Sequence, residues 1–134
     1  MSATVNYLNP EGLHRNPAFT QAVVVSGEAM TIYVGGQNAV DIDGAIVGAG
    51  DLRAQTVKAL RNLEIALSAA GGKLENVVKW TVYAVEGQNM AEGFAGFTEV
   101  WGTRPNPPAI SVLLVAGLAN PEFLVEIEAI AVLP

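Results

Sequence analysis

The sequence predicts an α+β fold, a sheet with helices packed on one side, on three observations. Regular segments follow the order hairpin, helix, strand, helix, strand, strand between residues 21 and 133. Two of them repeat apolar residues at helical spacing, and the others are short apolar or β-branched runs. Charged side chains recur on one alternating face of two strands, Lys79 on the first and Glu126 and Glu128 on the second. One sheet face is therefore left uncovered by this chain.

Residues 21–37 (QAVVVSGEAMTIYVGGQ) read as two strands around a turn at Ser26, Gly27 and Glu28, a hairpin signal. Asp41 to Gly44 (DIDG) form a second turn, with Gly44 supplying the left-handed position. Asp51 can cap a helix over 52–70, whose buried stripe is Val57, Leu60, Leu63 and Leu67. Gly71 and Gly72 end it, since glycine adopts the left-handed cap cheaply. Residues 77–85 (VVKWTVYAV) form a strand. One face carries Val77, Lys79, Thr81, Tyr83 and Val85, the other Val78, Trp80, Val82 and Ala84. The first face is polar enough to line a hydrated cavity or an interface. Asn89 and Glu92 have capping-box spacing. Met90, Phe94, Phe97 and Trp101 then recur on one helix face and read as helix core. That helix stops at Gly102, and a proline-rich loop leads to strands over 109–117 and 123–133. In the last strand Glu126 and Glu128 share a face with Leu124, Ile130 and Val132. Ionised carboxylates are costly to bury without partners, so this face meets a subunit boundary, a hydrogen-bonding pocket or water.

Composition narrows the functional classes. At 134 residues the size prior is one domain over 1–134. The chain is 51% hydrophobic and only 15% charged, with mean hydropathy +0.35. A chain of this size buries only about two-thirds of its extended surface when it folds alone. The apolar surplus therefore points to coverage by other subunits. No run of about 20 uncharged apolar residues spans a membrane, and residues 1–10 lack the pattern of a signal peptide. A net charge of −6 with seven scattered Lys and Arg argues against nucleic acid as a partner. One His and no Cys give no transition-metal site and no thiol chemistry, and no cofactor motif is present. A cytoplasmic location fits the absence of cysteine.

Six stretches carry a family resemblance. They are NPAFTQA (Asn16–Ala22), VGGQ (Val34–Gln37), NLEIALSAAG (Asn62–Gly71), VVKWTVY (Val77–Tyr83), PAIS (Pro108–Ser111) and EIEAIA (Glu126–Ala131). In this order they resemble the reactive intermediate deaminases (RidA/YjgF), also called the L-PSP endoribonuclease-like family. The resemblance implies a chorismate-mutase-like mixed sheet with two helices on one face. It also implies a homotrimer around a central β-barrel, with small-molecule clefts between subunits. Active relatives hydrolyse short-lived enamines and imines to keto acids and ammonia, binding the substrate carboxylate through the arginine of a P-A-R-[ST] motif. Here Ile110 stands at that position. A charge-assisted contact is worth about 1.5–3 kcal/mol. Its loss weakens carboxylate recognition about 10- to 150-fold. Phe19 stands where the family cleft commonly has a tyrosine, Gly35 where it has a serine, and Val112 follows the motif Ser111. Glu126 matches the glutamate that orients or activates water, and Gly36 the glycine that approaches the ligand.

The candidate site is thus Glu126 as the catalytic carboxylate, in a cleft of Phe19, Gly35, Gly36, Gln37, Phe94, Ile110, Ser111 and Val112. The plain alternative for Glu126 is a structural carboxylate at a subunit interface, and Glu128 reads as a solvent or interface residue. Gly35-Gly36-Gln37 lacks the spacing and lysine of a phosphate loop. Ser111 has no nucleophile-elbow glycines. Arg15 and His14 are candidate substitute cations at the rim, against an exposed loop pair, and Arg104 is a weaker candidate. Two functions follow: a divergent imine or enamine deaminase with altered specificity, or a non-catalytic trimer that binds a small metabolite or a partner protein. Ribonuclease activity conflicts with the acidic charge and the single His.

Overall fold

The structure, a computed structural model, describes residues 3–134. Its elements are β1 (Thr4–Leu8), β2 (Ala22–Ser26), β3 (Met30–Gln37), α1 (Leu52–Ala69), β4 (Val77–Val85), α2 (Met90–Trp101), β5 (Ala109–Val115) and β6 (Val125–Leu133). A short 3-10 turn at Leu74–Asn76 leads into β4. The main sheet has the order β3-β6-β4-β5 and is mixed. β6 runs antiparallel to β3 and β4, while β5 runs parallel to β4. A parallel neighbour needs a crossover, and α2 supplies it between β4 and β5.

The local signals place both helices. The Asp51 side chain accepts from Ala54 N at 3.0 Å and caps α1. Gly71, at φ +81°, and Gly72, whose N–H reaches Leu67 O at 2.8 Å, close it. Asn89 caps α2 through Ala91 N at 3.1 Å. Leu60, Leu63 and Leu67 are buried against Val77, Trp80, Val125, Ile127, Ala129 and Ala131 of the sheet, and both helices lie on this one face. Trp80 anchors the core. Its ring lies edge-on to Phe97 (5.2 Å, 81°) and Trp101 (5.5 Å, 74°), an arrangement favoured by aromatic quadrupoles. Its indole N–H has no hydrogen-bond partner among the described residues.

Gln55 is fully buried with its polar atoms satisfied. Its Nε2 donates to Gly48 O and Glu122 O, and its Oε1 accepts from Leu124 N. The bonds tie the start of α1 to the approach of β6. Gly96 sets the spacing of the helices, because a Cβ there would sit 2.8 Å from Arg53 O and 3.0 Å from Thr56 Cβ of α1. Gly96→Val is therefore expected to cost about 2 kcal/mol by forcing the helices apart, read as a lower denaturation midpoint at unchanged slope.

Three expectations are corrected. The residue 21–37 hairpin does not form. Gly27 makes a turn at φ +90°, but β2 pairs with β1 in a separate two-stranded sheet and β3 pairs with β6. A local turn signal does not choose a strand's partner. Val77 does not share the face of Lys79, because a register shift between them turns Val77 into the core. The Met90–Trp101 stripe is core only at its C-terminal end. Trp101 is 7% exposed, whereas Phe94 is 57% exposed.

Candidate functional site

Strand alternation decides where Glu126 points. Val125, Ile127 and Ala129 of β6 are buried under the helices, so Glu126, Glu128 and Ile130 face the other side. The Glu126 carboxylate is held there from two directions. Asn38 Nδ2 donates to Glu126 Oε1 and to Val125 O, both at 3.2 Å. Asn38 is itself positioned by Asn62 of α1, whose Nδ2 donates to Asn38 O at 3.0 Å and Val40 O at 2.9 Å. On the other side the carboxylate lies over Gly36. A Cβ at Gly36 would fall 2.7 Å from Glu126 Cδ and 2.9 Å from Cγ. Between Val34 and Gln37 the β3–β6 register shifts, so Gly35 and Gly36 sit in a bulge that re-aims the chain at Glu126. Gln37 Nε2 donates to Gly35 O at 3.1 Å.

The same sheet face carries a row of polar pairs. Lys79 Nζ donates to Ser111 Oγ at 2.8 Å, so Ser111 pairs with a lysine across the strands. Tyr83 OH donates to Glu128 Oε1 at 2.7 Å. That bond pushes the Tyr83 hydroxyl above the ordinary tyrosine range, because the bonded proton is held beside a carboxylate. Tyr33, Gly35, Lys79, Thr81, Glu128 and Ile130 surround a shallow concavity here.

A second concavity lies on the helix side. It measures about 430 Å³, and Phe19, Met90, Phe94, Phe97, Ile110 and Val112 line it. The 16–20 loop reaches it because Thr20 N donates to Pro108 O at 3.2 Å, beside the start of β5. Val125 and Ile127, the neighbours of Glu126, form part of its floor.

The predicted site residues therefore fall in two places within one chain. Phe19, Phe94, Ile110 and Val112 meet in the apolar cavity. Glu126, Gly35, Gly36, Gln37 and Ser111 lie at the opposite sheet face or its rim, and Glu126 does not line the cavity. His14 and Arg15 are exposed. The His14 carbonyl accepts from Gln21 Nε2, and Arg15 forms no ion pair among the described residues. Arg104, the weaker candidate, does not line the cavity. It donates to Val100 O and Trp101 O at the end of α2 and to Glu75, whose carboxyl it holds below the usual range. Sequence reasoning missed Asn38, Asn62 and the cavity-lining role of Met90. Asn38 and Asn62 carry no local pattern, and only the fold brings Asn38 to Glu126 and Asn62 to the Asn38 backbone. Among the described residues no group of three or more His, Cys, Asp or Glu could hold a metal, and no helix is long and apolar enough to cross a membrane.

Comparison with known proteins matches this architecture. The family model described as Endoribonuclease L-PSP matches residues 13–133. A RutC family protein of Pyrococcus abyssi is 32% identical over 113 residues, 84% of each chain. The 2-iminobutanoate/2-iminopropanoate deaminase of Rattus norvegicus is 37% identical over 117 residues, 86% of this chain and 80% of the relative. Among solved structures, the Rid family protein YyfB of Yersinia pestis, described as of unknown function, superposes with TM-score 0.84 at 34% identity. The match covers 96% of this chain and 98% of that one. Rv2704 of Mycobacterium tuberculosis, of the YjgF/YER057c/UK114 family, superposes with TM-score 0.65 at 28% identity over 97% of this chain and all of the other. Two helices on one face of a mixed sheet, the EIEAIA strand and these matches together make the chain a member of the endoribonuclease L-PSP family, the family of RidA, YjgF and RutC proteins.

Proposed function

We propose that this chain is an imine or enamine hydrolase, working as a cytoplasmic homotrimer whose sheets close a central barrel and whose sites lie between subunits. The observation that carries the reading is the carboxylate of Glu126, fixed by Asn38 above a glycine with no room for a Cβ. A group held this way can orient one water. The water oxygen adds to the imine carbon, a proton passes to nitrogen, and the carbinolamine collapses to a carbonyl compound and ammonia. The similarity to the rat 2-iminobutanoate/2-iminopropanoate deaminase supports this chemistry.

The split of the site supports a shared cleft. In one chain the cavity and Glu126 lie on opposite faces of β6, so an active site joins the cavity of one copy to the Glu126 of the next. The edge strands offer the surface for it. Leu114 on β5 is 60% exposed and Tyr33 on β3 is 77% exposed, an apolar exposure that a lone soluble chain rarely leaves bare. Phe19 and Ile110 in the cavity wall support an altered specificity, with no guanidinium to receive a small anionic substrate.

The test is ammonia release from imines generated in place by an oxidase, with light scattering for the trimer. Acceleration by the native chain is expected, and an inert native chain sinks the enzyme reading. Gly36→Ala is expected to lower turnover at least tenfold in an intact trimer, because the new methyl displaces the carboxylate and breaks its bond from Asn38. Native-like turnover in that variant would show that the carboxylate position does not matter. The uncharged cavity also favours a second reading, a trimer that binds an apolar metabolite without converting it. Saturable binding with no loss of ligand would select it.

A further inference from the structure

We infer that the ligand of this site is an apolar carbonyl-derived imine that carries no carboxylate, the kind of compound formed by oxidising a primary amine rather than an amino acid. This rests on the imine-hydrolase reading and names its substrate class.

The cavity supplies no counter-charge. Among the described residues its lining contains no Lys, Arg or His, and its only polar members are Asn16 and Thr56. The Thr56 hydroxyl is spent on Leu52 O at 2.8 Å within α1. Asn16 Oδ1 accepts from Ala18 N at 2.8 Å, which leaves its Nδ2 as a neutral donor with no partner among the described residues. Four of the seven Lys and Arg are engaged elsewhere, and neither Lys58 nor Lys73 lines the cavity. Arg53 pairs with Glu99, Arg61 with Glu64, Arg104 with Glu75, and Lys79 bonds Ser111 on the opposite sheet face. Arg15 adjoins the lining residue Asn16 in sequence but is exposed and does not line the cavity.

A carboxylate entering this space would lose its hydration and meet one neutral donor. Such burial is strongly unfavourable without a partner. It would also approach Glu126 of the adjoining copy in a chain of net charge −6, and like charges add to the cost. An imine without a carboxylate has neither problem. Its protonated nitrogen is attracted to Glu126, while its apolar body meets Phe19, Phe94 and Phe97. A volume of about 430 Å³ suits a ligand of aryl-alkyl size.

A matched pair tests this in the native protein. The imine from phenylethylamine, made by a flavin amine oxidase, and the imine from phenylalanine, made by an amino-acid oxidase, differ only by the carboxylate. The first is expected to be accelerated at least about tenfold more, as judged by kcat/KM. Phenylacetone and phenylpyruvate, stable carbonyl analogues, give the same comparison by calorimetry without turnover. Phenylacetone is expected to bind at least about tenfold tighter, with the order reversed in Ile110→Arg. Equal or tighter binding of phenylpyruvate by the native chain overturns the inference. So does phenylpyruvate binding that disappears in Arg15→Ala, since the loop cation would then be the anchor. Failure of both ketones to bind overturns it as well. Preferential binding of phenylacetone with neither imine accelerated keeps the ligand class and removes the catalytic reading.

Discussion

Glu126→Gln is expected to abolish imine turnover in a protein that still folds. The substitution keeps shape and removes charge and basicity. Gln still offers an oxygen to Asn38 Nδ2, which reaches Glu126 Oε1 at 3.2 Å in the native chain. It also adds no atom toward Gly36, where a single Cβ would already come within 2.7 Å of Cδ. Geometry therefore survives. The lost element is the acceptor that takes a proton from water as it adds to the imine carbon, a contribution of about 10²–10⁴ in rate. The measurement is kcat by ammonia release, with thermal unfolding alongside. A drop of at least about a hundredfold is expected with an unfolding midpoint near that of the native chain. Retention of a tenth or more of the native rate would show that Glu126 is structural. A collapse of stability would show that its charge holds the subunits together.

Trp80→Ala is expected to give the largest loss of stability of any single truncation in the chain, about 3–5 kcal/mol. Trp80 is 1% exposed on β4, an interior strand of the main sheet, between Ile110 of β5 and Ala129 of β6. It contacts Phe97 and Trp101 edge-on, so its removal leaves a cavity under α2 and breaks the aromatic cluster. Its unpartnered N–H adds no hydrogen bond to this sum. Set against a typical stability of about 5–15 kcal/mol, the change brings the chain close to unfolding at physiological temperature. Denaturant unfolding measures it, and Trp80→Phe is expected to recover part of the loss. A cost under about 1 kcal/mol for Trp80→Ala would mean that the helices close over the gap.

Much of the fold was legible in the residues, and the misses share one cause. Asp51, Asn89 and the glycines at 71, 72 and 102 mark the helix ends, because caps are chemistry between residues a few positions apart. The alternation in β6 placed Glu126 and Glu128 on the face away from the helices. The partner of β3 was not legible, and β1 gave no signal of its own. A strand's hydrogen bonds go to a segment distant in sequence, and a turn at Gly27 fits more than one pairing. The shift between Val77 and Lys79 also escaped notice, since a bulge is set by the partner strand.

The site divides along the same line. The resemblance carried by the EIEAIA, VGGQ and PAIS segments singled out Glu126, Gly36 and the isoleucine at the motif-arginine position as candidates, because those are matters of side-chain type at fixed positions. Only the tertiary structure brought Asn38 onto Glu126 and Asn62 onto the Asn38 backbone, bound Arg104 to the end of α2, and joined Phe19, Phe94 and Ile110 around one uncharged cavity. It also set that cavity and the carboxylate on opposite faces of β6. The physical reason is range: caps, alternation and residue chemistry act within a few residues, whereas strand pairing and cavity walls depend on segments far apart in the chain, such as Met30 and Leu133, meeting in space.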